Sequence, residues 1–285
     1  MTARTQHRAT AACADRERHH DMVPVGHRGS HEDSHEDRGT TAMNGDASGA
    51  SAEEYWDTRY SANDRIWSGK PNALLIREVS ELSPGRALDL GCGEGADAIW
   101  LAQRGWHVTA VDVSRIALAR AAEHARQEGV ADRIDWQWHD LTESFPAGAF
   151  DLVSAHFLHS EIDLPRERIL RTAAASLSAG GVLLIVGHVG CPSWETGHHP
   201  DIHFPTPEEV LTSLDLPPAE WELLLSGEHE RRVTGPDGQP ATRTDNLLKL
   251  RRRPDDNSPD DNGPDDNGPD DSRPDDSAPT SSDGE

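Results

Sequence analysis

The chain has 285 residues and a formal net charge of −24, from 51 acidic and 27 basic side chains. This balance disfavours a nucleic-acid substrate, because such affinity rests on Lys and Arg neutralising phosphates. There is no apolar run long enough for a signal peptide or a membrane helix. The three cysteines, Cys13, Cys92 and Cys191, lack CxxC spacing, which argues for a reducing cytoplasm without structural zinc.

Only the middle of the chain has the composition of a folded domain. Residues 1–50 carry six histidines and the His-Glu-Asp triplets 31–33 and 35–37 but few core formers, and read as a disordered polar leader rather than a metal tract. Recognisable pattern starts near Glu53, so Met22 or Met43 is read as the physiological start. Residues 254–285 repeat Pro-Asp-Asp every five residues from Pro254, with a net charge of −11, and read as a disordered, self-repelling tail. The remaining residues, 51–253, form one domain, also with a net charge of −11.

Within that domain, Glu53–Leu82 reads as helical with a break at Ser68-Gly69-Lys70-Pro71, its later half carrying Leu74, Leu75, Ile76, Val79 and Leu82 at helical spacing. Arg86–Leu90 is a first strand and Ala96–Arg104 a first crossover helix, ended by Gly105. Trp106–Val111 is a second strand, closed by Asp112, and Ser114 caps a helix running to Gly129. Ile134–Trp138 and Phe150–Ala155 are the third and fourth strands. A helix spans about Pro165 to Leu177, and Gly180-Gly181 turns the chain into Val182–Val186. After the His- and Pro-rich loop Gly187–Pro205, Thr206-Pro207-Glu208-Glu209 opens another helix. Glu220–Leu225 and Asn246–Leu250 are closing strands joined by a turn at Gly235-Pro236-Asp237-Gly238. Strands alternating with helices predict an α/β fold: a doubly wound, mostly parallel sheet with an antiparallel addition at one edge.

The chemistry-bearing residues fall at the carboxyl ends of the strands, where open α/β sheets bind ligands. Leu88-Asp89-Leu90-Gly91-Cys92-Gly93-Glu94-Gly95 is an apolar strand that ends in an acid and breaks into a glycine turn before a helix. Glycines at alternate positions let a ligand approach backbone that a Cβ would block. Asp89 places a carboxylate where a cationic amino group could sit. Asp112, 21 residues past Gly91, is placed to accept from both hydroxyls of a ribose. Asp140 follows the third strand and could accept from an adenine amino group, although Asp in such a loop is also ordinary turn chemistry. Gly91, Gly93 and Ala96 also satisfy a relaxed dinucleotide-binding pattern, so a nicotinamide-dependent dehydrogenase is a rival reading. Asp89 counts against it, because a dinucleotide fold usually keeps that position apolar beside the pyrophosphate. So does the lack of chain for a second domain.

These motifs resemble the class I S-adenosylmethionine (SAM)-dependent methyltransferases, and the resemblance covers residues 53 to 252. LDLGCGEG resembles their first motif, VTAVDVS (108–114) their ribose-binding segment, and WHDL (138–141) their adenine-side loop. AFDLVSAHFLH (149–159) resembles their fourth strand and the wall facing the substrate. The resemblance implies a seven-stranded Rossmann-like sheet. It also implies a SAM site formed by Asp89, Gly91, Cys92, Gly93, Gly95, Asp112, Val113, Asp140, Leu141, Ala155 and His156, with S-adenosylhomocysteine (SAH) as product. Tyr55-Trp56-Asp57-Thr58-Arg59-Tyr60 followed by Trp67-Ser68-Gly69 is similar to the small-molecule branch with thiopurine and tellurite-type methyltransferases, where such a segment folds over the cofactor. By that likeness Trp56, Arg59 and Trp67 would cover the methionine end or flank the acceptor. A packing helix accounts for the same tryptophans.

The implied activity is methyl transfer to a small organic acceptor by in-line displacement; a SAM-binding protein without catalysis is the alternative. His156 and His159, just past the fourth strand, are candidate bases or substrate contacts, since imidazole titrates near neutrality. The fourth strand continues as Ala155-His156-Phe157-Leu158, without the Asn/Asp-Pro-Pro-aromatic motif that marks amino-nitrogen methylation of bases and of glutamine. His198-His199-Pro200-Asp201-Ile202-His203 fits no standard metal spacing and reads as a polar lid, so no metal is expected. Acceptor identity and oligomeric state are not encoded in these motifs.

Overall fold

The computed structural model describes residues 50–160, 163–190, 203–234 and 238–254. The leader, the acidic tail, both candidate start methionines and residues 198–202 of the histidine-rich loop lie outside the described residues.

Helix α1 (Ala52–Ser61) begins at Ser51 in a capping box with Glu54. Helix α2 (Ala73–Val79) buries Leu75 and Val79. The expected break between them spans residues 62–72 and is longer than the Ser68–Pro71 turn predicts. The parallel strands are β1 (Arg86–Leu90), β2 (His107–Asp112), β3 (Ile134–Trp138) and β4 (Phe150–His156), continued by β5 (Leu177–His188). The crossover helices are α3 (Ala96–Gln103), α4 (Arg115–Gln127) and α5 (Arg166–Ala175); a further helix, α6 (Pro207–Leu214), follows β5. Ser114 caps α4 through Ala117 N–H, and Thr206 with Glu209 forms a capping box on α6.

The closing strands β6 (Trp221–Thr234) and β7 (Pro240–Arg252) are much longer than their apolar cores indicate. They complete a seven-stranded sheet of order β3-β2-β1-β4-β5-β7-β6, with β7 antiparallel to both neighbours. β5 also starts earlier than predicted. Leu177 pairs with Phe150 and Val182 with Leu152, so Ser178–Gly181 loops out within the strand, with Gly180 at φ +79°.

Alternation along the strands creates two cores, one on each face of the sheet. Ala87, Leu152, Val182, Leu184 and Val186 pack on one face with α2 and α3. Leu88, Leu90, Val153, Ala155, Leu183 and Ile185 pack on the other with α5 and α6. Asp89 and His156 share parity with Ala87 and Leu152, which turns both toward the α2–α3 side at the carboxyl edge of the sheet.

Candidate active site

The glycine turn is built on left-handed backbone: Gly91, Gly93 and Gly95 have φ of +70°, +53° and +86°. The N–H groups of Gly91 and Cys92 donate to the Val111 carbonyl, which locks the turn onto the end of β2. Asp112 completes the lock. Its Oδ2 accepts from Gly93 N–H and its Oδ1 from Ser114 N–H, both at 2.9 Å. A carboxylate oxygen has further lone pairs, so Asp112 keeps acceptor capacity toward the cleft.

Asp89 is 3% exposed, and its Oδ2 has no hydrogen-bond partner among the described residues. Burial, then the neighbouring carboxylates of Asp97 and Asp112, push its carboxyl well above the usual range. Burial, then the carboxylates of Asp112 and Asp89, likewise raise the half-buried Cys92 thiol. An orphaned carboxyl at the mouth of a glycine turn fits a cationic ligand group, as the α-amino group of SAM would be. Asp140 is an Asx turn: its Oδ1 accepts from Thr142 N–H at 2.9 Å.

The N-terminal segment closes over this turn through Asp57, Tyr60 and Trp67 of the quoted motif and through Glu94, which motif reading did not single out. Glu94 Oε2 accepts from the N–H groups of Ile66 and Trp67 at 3.2 and 3.0 Å, and its Oε1 takes Arg120 Nη1 at 3.1 Å. Asp57 Oδ1 accepts from Ser114 Oγ at 2.6 Å, tying α1 to the start of α4. Trp67 Nε1 donates to the Tyr60 hydroxyl at 2.9 Å. A Cβ on Gly93 would meet Trp67 Nε1 at 3.0 Å and the Tyr60 hydroxyl at 3.1 Å, so the cover also constrains Gly93. Arg59 lies with its Cζ 5.7 Å from the centre of the Trp56 ring.

Past β4, Phe157 adopts φ +50°, an uncommon conformation for a non-glycine residue, and stacks on His188 at 4.4 Å. His156 Nδ1 is 2.9 Å from Asp97 Oδ2. Asp97 also accepts from Asn72 N and Nδ2, each at 2.7 Å. Burial pushes the Asp97 carboxyl up, but these hydrogen bonds and the His156 interaction outweigh it and hold it below the usual range. On the far wall, His188 Nδ1 lies 2.9 Å from Asp245 Oδ1 and 3.0 Å from Arg243 Nε. Arg231 Nε donates to Asp245 Oδ2 at 2.6 Å. Burial raises the Asp245 carboxyl even though Arg231 and Arg243 oppose it.

These walls enclose one cavity of ≈ 670 Å³. Asp89, Gly91, Cys92, Gly93, Gly95, Asp112, Val113, Asp140, Leu141, His156, His159, Trp56 and Trp67 all line it. Ala155 and Arg59 do not. Ala155 has the parity of Val153 and sits in the core on the opposite face. The residues that sequence reading missed are Glu94, Asp97, Asn72 and the outer half of the β6–β7 hairpin. The β5–β7 pairing ends at His188↔Asp245, whereas β6–β7 pairing continues for five more pairs to Thr234↔Pro240. The hairpin therefore projects past the carboxyl edge of β5 and brings Glu230, Arg231 and Arg232 to the cavity. Among the described residues no cluster of His, Cys, Asp or Glu is arranged to hold a metal. His203, the one described member of the expected lid cluster, pairs with Glu209 at 3.1 Å.

Residues 87–181 match the family model of a methyltransferase domain. A ribosomal RNA small subunit methyltransferase C of Alcanivorax borkumensis is 33% identical over 46% of this chain and 41% of its own length. The methyltransferase GfsG of Streptomyces halstedii is 33% identical over 46% of this chain and 48% of its own. The chain thus spans less than half the length of either relative. A structure solved for the conversion of a disulfide bond into a thioacetal group during echinomycin biosynthesis aligns with a TM-score of 0.56. It is 22% identical and covers 70% of this chain and 91% of its own. That likeness concerns the fold. No helix among the described residues is long and apolar enough to cross a membrane.

Proposed function

We propose that this chain, a class I SAM-dependent methyltransferase in fold and motif, transfers the methyl group of SAM to a small organic acceptor, with residues 51–253 as the working unit. The observation that carries this reading is the continuity of the cavity. The glycine turn and Asp112 lie at one end; His156, His159 and the β6–β7 hairpin lie at the other. A cofactor and a small acceptor can meet there end to end.

When bound, SAM supplies an electrophilic methyl group and its own leaving group. The chain's part is alignment and exclusion of water. Asp112 would hold the ribose hydroxyls, Asp89 the α-amino group, and Asp140 with Leu141 the adenine side. Trp56 and Trp67 would cover the methionine end. His156, oriented by Asp97, would take a proton from an acceptor that arrives protonated, and His159 would flank that acceptor. The acidic composition and the absence of the Asn/Asp-Pro-Pro-aromatic motif support a small acceptor over nucleic acid. The cysteine pattern supports a cytoplasmic setting.

The test is calorimetric titration with SAH and, separately, with NADH, followed by acceptor screening with methyl-labelled SAM. Micromolar SAH binding that is lost in Asp112→Ala supports the reading. NADH binding alone overturns it in favour of a dehydrogenase. SAH binding without transfer to any small acceptor leaves a binding protein.

A further inference from the structure

Behind the acceptor wall lies a second cavity of ≈ 270 Å³. Leu158, His159, Ser160 and Leu164 line both cavities, so the two adjoin at these residues. Arg166 lines the second cavity. It is the first residue of α5, is 7% exposed, and its Nε has no hydrogen-bond partner among the described residues. Burial lowers its pKa, and Glu167 is the charge that opposes this. Among the described residues the other carboxylate on the cavity, Glu209, is already engaged. Its Oε2 takes His203 Nε2 at 3.1 Å and Thr206 N–H at 2.8 Å.

A guanidinium cannot shed its charge to escape burial, and an uncompensated buried charge is costly. A chain that keeps one facing a cavity has a site for an anion to complete. The start of α5 adds to this. Pro165 supplies no side-chain cap, and Arg166 and Glu167, the first two residues of this ten-residue helix, both line the cavity, which sets the positive helix end beside it.

We infer that Arg166 and the second cavity form an oxyanion subsite that takes a carboxylate of the methyl acceptor, while the reacting end of that acceptor lies at His156 and His159. The acceptor class is therefore a small carboxylic acid. The planar guanidinium suits a two-pronged contact with a carboxylate. The assignment of this anion to the acceptor rests on the methyltransferase reading; the anion site itself does not.

The test is thermal melting of the full chain at fixed ionic strength with benzoate, benzamide or inorganic phosphate, with and without SAH. Benzoate raises the melting temperature of the wild type and benzamide does not. Arg166→Gln weakens benzoate binding by roughly 30-fold or more, as loss of one partner of a buried charge pair does, and retains the SAH-induced shift. Arg166→Lys keeps the charge without the fork and gives a weakened response; a response equal to the wild type's counts against the proposal. No benzoate response, or the same response in Arg166→Gln, overturns it. A response to phosphate alone overturns the acceptor assignment in favour of a free inorganic anion. A benzoate response with no SAH shift in the wild type removes the methyltransferase reading, and the acceptor assignment with it, while the anion site stands.

Discussion

Asp97 fixes which nitrogen of His156 faces the cavity. Its Oδ2 lies 2.9 Å from His156 Nδ1, and it is held below the usual carboxylate range, so it accepts a hydrogen bond from Nδ1–H. That tautomer leaves Nε2 as an acceptor, and Nε2 is buried with no hydrogen-bond partner among the described residues. For an acceptor that arrives protonated, His156→Ala is expected to lower turnover by roughly 10²- to 10⁴-fold with SAH affinity unchanged. Asp97→Asn is the sharper variant. Its amide can donate to Nδ1, which moves the imidazole proton to Nε2 and removes the acceptor lone pair. Turnover at saturating SAM should fall by at least roughly 10²-fold. Wild-type turnover in Asp97→Asn would dispose of the tautomer argument.

Asp89 is expected to stabilise the complex and destabilise the free fold. Its folded-state pKa is raised by burial and by Asp97 and Asp112. A carboxylate with a raised folded value loses stability for the fold as pH rises from its unfolded value, about 3.9, through the folded one. Asp89→Asn removes that loss, and the ligand-free protein at neutral pH should melt about 2–4 °C higher. SAH affinity should fall roughly 30-fold, because the ligand ammonium loses its counter-charge. In the wild type, SAH binding should release a proton wherever the free carboxyl is still protonated, so affinity rises with pH through that range. Calorimetry in buffers of differing ionisation enthalpy measures this release. A lower melting temperature in Asp89→Asn, or no proton release at any pH, contradicts the account.

The parallel half of the sheet was legible because its signals are local. Arg86–Leu90 and Ile134–Trp138 fall where the apolar runs place them, and Ser114 and Thr206 cap the predicted helices. The glycine-turn end of the cavity was legible for the same reason: Gly91, Gly93, Gly95 and Asp112 lie within one strand–turn–helix–strand unit. The opposite end was not. Asp97 meets Asn72 and His156 across separations of 25 and 59 residues, and Asp245 meets His188 across 57. The outer half of the β6–β7 hairpin carries Glu-Arg-Arg and Thr-Arg-Thr rather than an apolar face. It is a strand because its partner pairs with it, and no period-2 pattern announces that.

The glycine turn yields a paired test of steric reading. Gly95 has φ +86°, and a Cβ there would lie 2.6 Å from Trp136 and 2.8 Å from Ala121. Gly129 has φ +72°, and a Cβ there would meet nothing within 4 Å. Gly129→Ala should therefore cost the left-handed penalty alone, about 1–2 kcal/mol. Gly95→Ala adds overpacking, for a total of about 2–5 kcal/mol. Urea unfolding of the two variants separates the effects. Equal costs would mean that Trp136 yields freely and that the close approach of α3 to β3 does not constrain position 95.

Glu94 makes the cover over the cofactor end conditional on one buried carboxylate. Its side chain is 3% exposed and serves Ile66 N–H, Trp67 N–H and Arg120 Nη1 together, while Arg120 Nη2 also donates to the Tyr60 carbonyl at 2.9 Å. Glu94→Ala strands two backbone donors and part of a guanidinium at once, and is expected to cost about 2–4 kcal/mol. Arg120 is 23% exposed, so water recovers some of the loss on its side. Glu94→Gln keeps a carbonyl oxygen for the backbone donors and should fall between the two. The damage should concentrate in residues 62–72, because α1 is separately tied down by Asp57 to Ser114 and by Glu53 to Arg115. Limited proteolysis should cut Glu94→Ala in that connector well before the sheet, and SAH affinity should fall because Ile66 and Trp67 line the cavity. Wild-type protease resistance in Glu94→Ala would show that Trp67 packing, and not the carboxylate, holds the cover closed.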